Sequence, residues 1–119
     1  MISTFLCMQS QVRVWHWQTG SYAEHQALGG LYGDLGELID SFVETFAGGA
    51  GVPKARENFN THCSNYEGTE AIMSWIDEKI SWLQNDLETQ VGEDRNDLLN
   101  IRDEMVAALN KTKYLLRLK

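Results

Sequence analysis

Between Tyr22 and Phe46 the apolar residues Leu28, Leu31, Leu35, Leu38, Ile39, Phe42 and Phe46 recur at three- and four-residue steps. A strand repeats every second residue, so this spacing requires a long helix with one apolar stripe turned to a core. With His25 set at zero and ~100° per residue, the stripe centres near ~280°, whereas Asp40 and Glu44 fall near ~60° and ~100°. Those two carboxylates lie outside the packing face. One turn apart, they can point at one cation, although such a pair is most often a solvated face.

The rest of the chain reads as three further helices. Ile2 to about Gln18 carries Phe5, Met8, Val12 and Trp15 on one stripe, with Ile2 and Leu6 beside it and His16 at its edge. Thr19-Gly20 breaks this helix, and Ser21 with Glu24 has the spacing of a capping box that starts the next. So tight a turn makes the first two helices antiparallel neighbours and puts His16 and His25 at the same end. Helix two is expected to end in the run Gly48, Gly49, Gly51 and Pro53.

From there to about Gly68 the chain lacks clear periodicity, apart from a short helix expected around Lys54 to Phe59. That is long for a link between neighbours and fits a crossover along a bundle. Thr69 is the expected N-cap of helix three, with Ile72, Trp75, Ile76, Ile80, Leu83 and Leu87 inward. After Val91-Gly92, helix four runs from about Asp94 with Leu98, Ile101, Met105, Leu109, Thr112 and Leu116 inward. Its acidic start and basic end complement the helix dipole. The expectation is an all-α protein, one domain over 1–119.

Gly29, Gly30, Gly33 and Gly36 each cost roughly 1 kcal/mol against Ala in a helix interior. Two readings stay open. Either another backbone, most simply that of a second copy of this helix, approaches closely there, or the helix begins only near Leu31.

Composition excludes some functions. A net charge of −7 and an isoelectric point near 4.8 argue against nucleic-acid binding, which depends on Lys and Arg contacts to phosphate. The opening MISTFLCMQSQ has neither the basic start nor the apolar run of a signal peptide or membrane span, so a cytoplasmic setting is expected. Cys7 and Cys63 show no metal or disulfide spacing and are expected to be reduced; His62 beside Cys63 reads as incidental.

His25 precedes Asp40 by fifteen residues, roughly 22 Å along one helix axis. One metal cannot touch both within a chain. If they share a site, a second copy must lie antiparallel alongside, and a twofold dimer then makes two equal sites.

The His16-Trp17 pair, a short loop with Gly20 and Tyr22, His25, then Asp40 and Glu44 four beyond it together resemble the Dps family of ferritin-like proteins. The resemblance implies a ferritin-like four-helix bundle with a long crossover between helices two and three. It further implies Fe(II), as one or two ions, held between subunits by His16, His25, Asp40 and Glu44 and oxidised by peroxide or dioxygen. Ferric product would be stored inside a homo-oligomer of twofold dimers, up to a twelve-subunit shell, with zinc as a substitute metal. The match departs in two places: the loop between the histidines is shorter, and Gly29 stands where the family has a carboxylate. Glu37, on the same acidic stripe, is a candidate replacement. The Glu-x-x-His pairs of intrachain di-iron bundles are absent from the sequence. Three functions stay open: a ferroxidase, a metal-binding protein without turnover, and an assembly protein that has kept only the scaffold. Many members of that family bind DNA through a lysine-rich tail; here the first basic residue is Arg13, and DNA binding is not expected.

Overall fold

The computed structural model describes residues 1–55 and 58–118. Among these the only regular secondary structure is helix, with no strand. Helix α1 spans Ile2–Gln18 and α2 spans Tyr22–Ala50. Helix α3 (Thr69–Ser81) passes through a π-helical turn, Trp82–Asp86, into the short α4 (Leu87–Val91), so the three form one uninterrupted rod. Helix α5 spans Asn96–Arg117. Four rods result.

Their directions follow from the contacts at their ends. The short turn at Thr19–Ser21 sends α2 back along α1. Edge-to-face ring pairs Trp15–Trp75 and Phe5–Trp82 run α3 opposite to α1, and therefore parallel to α2. The Lys113–Asp77 ion pair and the bond from Arg102 to the Leu83 carbonyl set α5 antiparallel to α3. The connection 51–68 begins beside the start of α1, where Asn58, Phe59, Asn60 and His62 share a hollow with Ser3, Thr4 and Cys7. It then follows α1 upward: Ser64 bonds Gln11, Asn65 bonds Trp15 and Gln18, and Tyr66 bonds Gln18.

The expected stripes form the core. Phe5, Met8, Val12 and Trp15 meet Leu28, Leu31, Leu35, Ile39 and Phe42, closed by Ile72, Ile76, Leu83, Leu87, Leu98, Met105, Leu109 and Leu116. Burying each large apolar side chain is worth about 1.5–3 kcal/mol, which sets the rotation of every rod.

Helix α2 ends within the glycine run expected to stop it: it passes through Gly48 and Gly49 to Ala50, and Gly51, at φ 91°, ends it. Gly49 is small for a reason: a Cβ there would come within 2.9 Å of the Arg95 guanidinium lying over it. The N-cap of α3 is Gly68, at φ 104°, and not Thr69, whose hydroxyl is engaged elsewhere. Helix α5 starts at Asn96, two residues later than expected. The short helix expected around Lys54 to Phe59 is centred on 56 and 57, which lie outside the described residues; Lys54, Ala55 and Phe59 are not helical. No helix among the described residues is long and apolar enough to cross a membrane.

Candidate functional site

His16 leaves the last turn of α1 and His25 the first turn of α2, and the tight turn brings their rings into contact. The imidazoles stack with centroids 3.8 Å apart and planes 14° from parallel. Each ring is tied to the other's backbone: Nδ1 of His16 lies 2.7 Å from the carbonyl of His25, and Nδ1 of His25 lies 2.8 Å from the carbonyl of His16. A carbonyl only accepts, so both Nδ1 atoms carry the proton, and in the neutral rings both Nε2 atoms are left with a free lone pair. Histidines that ligate metals are commonly oriented in this way, by an N–H to a carbonyl on the far side of the ring.

The glycine opposite is part of this arrangement. A Cβ on Gly29 would sit 2.9 Å from Cε1 of His16 and 3.3 Å from its Nδ1. Where a carboxylate was expected, the position is therefore closed to any side chain while His16 holds this pose. Because α2 is helical from Tyr22 onward, the reading in which it begins near Leu31 is overturned. Within the chain, Gly29 admits His16 and Gly36 admits Gln9, whereas Gly30 and Gly33 face open space.

The turn that sets the pair is held by Glu24. Its buried carboxylate accepts from the hydroxyls of Thr19 (2.8 Å), Tyr66 (2.6 Å) and Thr69. Burial alone would raise its pKa, but the donors Thr69, Tyr66 and Thr19 outweigh it, and the carboxyl sits below its ordinary value. Only half of the expected capping box forms. Ser21 Oγ accepts from the Glu24 amide at 3.2 Å, while the Ser21 amide donates to Thr19. Sequence reasoning missed Glu24 as a hub because two of its donors lie more than forty residues away.

Around the histidines the surface is aromatic. Tyr22 stacks loosely on His25 with centroids 6.2 Å apart, and Arg13 lies over the rings of Trp17 and Tyr32 at 5.2 and 4.7 Å. Trp17 and Tyr22 are 66% and 75% exposed, large apolar areas for one end of a bundle. Trp15, by contrast, is core and packs on Trp75.

Asp40 and Glu44 lie toward the other end of the same unbroken helix, with Glu37, Ser41 and Thr45 around one shallow depression. Both are exposed, and no ion pair engages them among the described residues. The structure thus brings His16 and His25 together and keeps Asp40 roughly 22 Å, and Glu44 roughly 28 Å, from His25 along the helix. Among the described residues, no three His, Cys, Asp or Glu side chains gather as a possible metal-binding group within one chain.

A helical chain of four rods, with paired imidazoles at one end of its longest helix and paired acids further along it, is what fold and site define. The chain belongs to DUF5856, a family of unknown function, whose model matches residues 16–116. Comparison with curated proteins and with solved structures finds no match.

Proposed function

We propose that this protein is a ferritin-like, Dps-type metal-binding protein that takes Fe(II) as substrate between two antiparallel copies of itself. His16 and His25 of one copy and Asp40 and Glu44 of the other would hold the ion. The observation that carries this reading is the reciprocal tie of the two histidines, which leaves both Nε2 atoms free for a ligand. Imidazole nitrogens joined by carboxylate oxygens suit iron, and zinc as its substitute. Within one chain the two halves lie on the same side of α2 but out of reach of one another, so a second copy completes the set. Iron held there would give up an electron to peroxide or dioxygen.

The course of the rods also supports a ferritin-like bundle. Helices α1 and α2 are antiparallel, α2 and α3 are parallel, and the connection between those two spans the length of α1, as a ferritin-like crossover does. Storage in a larger shell of twofold dimers, and a cytoplasmic setting without DNA contact, are part of the same proposal.

A second reading has its own observation. His16 closes position 29 to the carboxylate that a ferroxidase of this kind would use, so a site that binds iron or zinc without turnover is the alternative. Anaerobic titration with Fe(II), followed by admission of oxygen or peroxide, separates the two. Turnover gives one Fe(III) for each electron delivered; binding without oxidation above the buffer rate selects the alternative; no binding of Fe(II) or Zn(II) rejects both.

A further inference from the structure

Cys7 and Cys63 are far apart in sequence, but the crossover is laid along α1 in a fixed register. Gln11 donates to the Ser64 carbonyl at 2.9 Å and accepts from the Ser64 amide at 2.6 Å. Trp15 and Gln18, the next steps along α1, take Asn65 and Tyr66. Cys7 lies one turn before Gln11 on the same side of the helix, and Cys63 directly precedes Ser64. His62, the residue before it, lines the same hollow as Cys7. The extended chain therefore delivers Cys63 next to Cys7. Both thiols are free, Cys63 exposed and Cys7 half-buried.

We propose that Cys7 and Cys63 are a disulfide-forming pair, and that their oxidation staples the crossover to α1. The oxidant class is a small disulfide such as oxidised glutathione. The exposed Cys63 thiolate attacks one glutathione sulfur, forming a mixed disulfide and releasing one glutathione thiolate. The Cys7 thiolate then attacks the Cys63 sulfur and releases the second. Two protein thiols lose two protons and two electrons, and one glutathione disulfide becomes two thiols.

The electrostatics agree with this neighbourhood. Burial pushes the Cys63 thiol up, and the nearby Cys7 thiolate pushes it further. Since the thiolate is the nucleophile, the staple closes slowly at neutral pH and faster as pH rises. Once closed, it removes a loop of more than fifty residues from the freedom of the unfolded chain. The segment it pins leads directly to Asn65 and Tyr66, which grip Gln18 and Glu24 beside the histidine turn.

The test treats the full chain with oxidised glutathione at rising pH, digests it without reduction, and compares thermal unfolding before and after. The expected result is a peptide joining 7 to 63, absent from C7S and C63S, with Tm raised on the order of 10 °C and restored by reductant. C63S changes only a surface side chain and keeps the comparison readable if C7S folds poorly. Glutathione retained on Cys63 without the joined peptide overturns the proposal, as do links between the Cys63 residues of two chains. A joined peptide that lowers Tm overturns the staple as well.

Discussion

His16 and His25 hold each other: each imidazole gives its Nδ1 proton to the other's main-chain carbonyl, at 2.7 and 2.8 Å, while the rings stack. Side-chain orientation is here locked by backbone from two different helices, so the pair is set before any ligand arrives. Such preorganisation lowers the ordering that binding would otherwise require.

Gly29→Ala should break this lock. Its methyl would meet Cε1 of His16 at 2.9 Å, and the ring must swing away. Helix propensity favours the substitution by about 1 kcal/mol, so the fold survives. Nitrogen NMR of the imidazoles is the measurement: the wild type shows the Nδ1–H tautomer for both neutral rings, and the variant loses it at His16. Unchanged spectra would contradict the packing described.

Gly33→Ala separates a solvent face from a contact face. Nothing lies within 4 Å of a Cβ at Gly33 in the single chain. An isolated chain should gain about 0.5–1 kcal/mol in denaturant unfolding, because glycine is replaced in a helix interior. If a second α2 packs closely there, the same variant weakens association, seen as a larger dissociation constant in sedimentation.

Glu24 makes stability depend on acidity. Its carboxyl is lowered in the folded state from an ordinary 4.5 by the Thr69, Tyr66 and Thr19 hydroxyls, which outweigh burial. The charged form therefore stabilises the fold above the unfolded value, and that contribution is lost as pH falls below about 4.5 through the folded value. Denaturation curves from pH 7 to pH 3 should show a loss in the wild type that is shallower in E24Q. At pH 7, E24Q should be less stable by about 1–3 kcal/mol, because the buried hydroxyls lose a charged acceptor.

Arg102 repairs the π turn. There the Leu87 amide reaches back to the Trp82 carbonyl, so the helical register slips and the Leu83 carbonyl accepts instead from Arg102 Nη1 at 3.1 Å. Arg102 is 9% exposed, and its guanidinium also bonds Asp103 at 2.7 Å and Glu88 at 3.4 Å. R102M should cost about 1–3 kcal/mol by orphaning that carbonyl, read from urea midpoints at constant slope. A variant as stable as the wild type would show that the carbonyl has another partner.

What the sequence made legible follows from the range of each interaction. The stripes Leu28–Phe42 and Ile72–Leu87 are periodic within one helix, and so were readable and correctly faced. The meeting of His16 and His25 needed only the tight turn between them. Arg102 was missed because its partner is a carbonyl freed by a π turn nineteen residues away, which no local pattern announces. Threonine suits a cap, and the sequence around Thr69 predicts one there; Glu24, far away in sequence, claims its hydroxyl, and Gly68 caps instead. The course of 51–68 depends on single long-range bonds such as Gln11 to Ser64, and its length alone hinted at it.

In the proposed metal site the imidazoles come from one chain and the acids from another. Two variants, H16A/H25A and D40A/E44A, each lack one half, and neither should bind Fe(II) or Zn(II) alone. Mixed, unfolded and refolded together, they form some dimers with one intact site, so about a quarter of the wild-type metal per chain should return. If the mixture binds no more than its components while the wild type binds metal, the site is not shared between chains and the account fails.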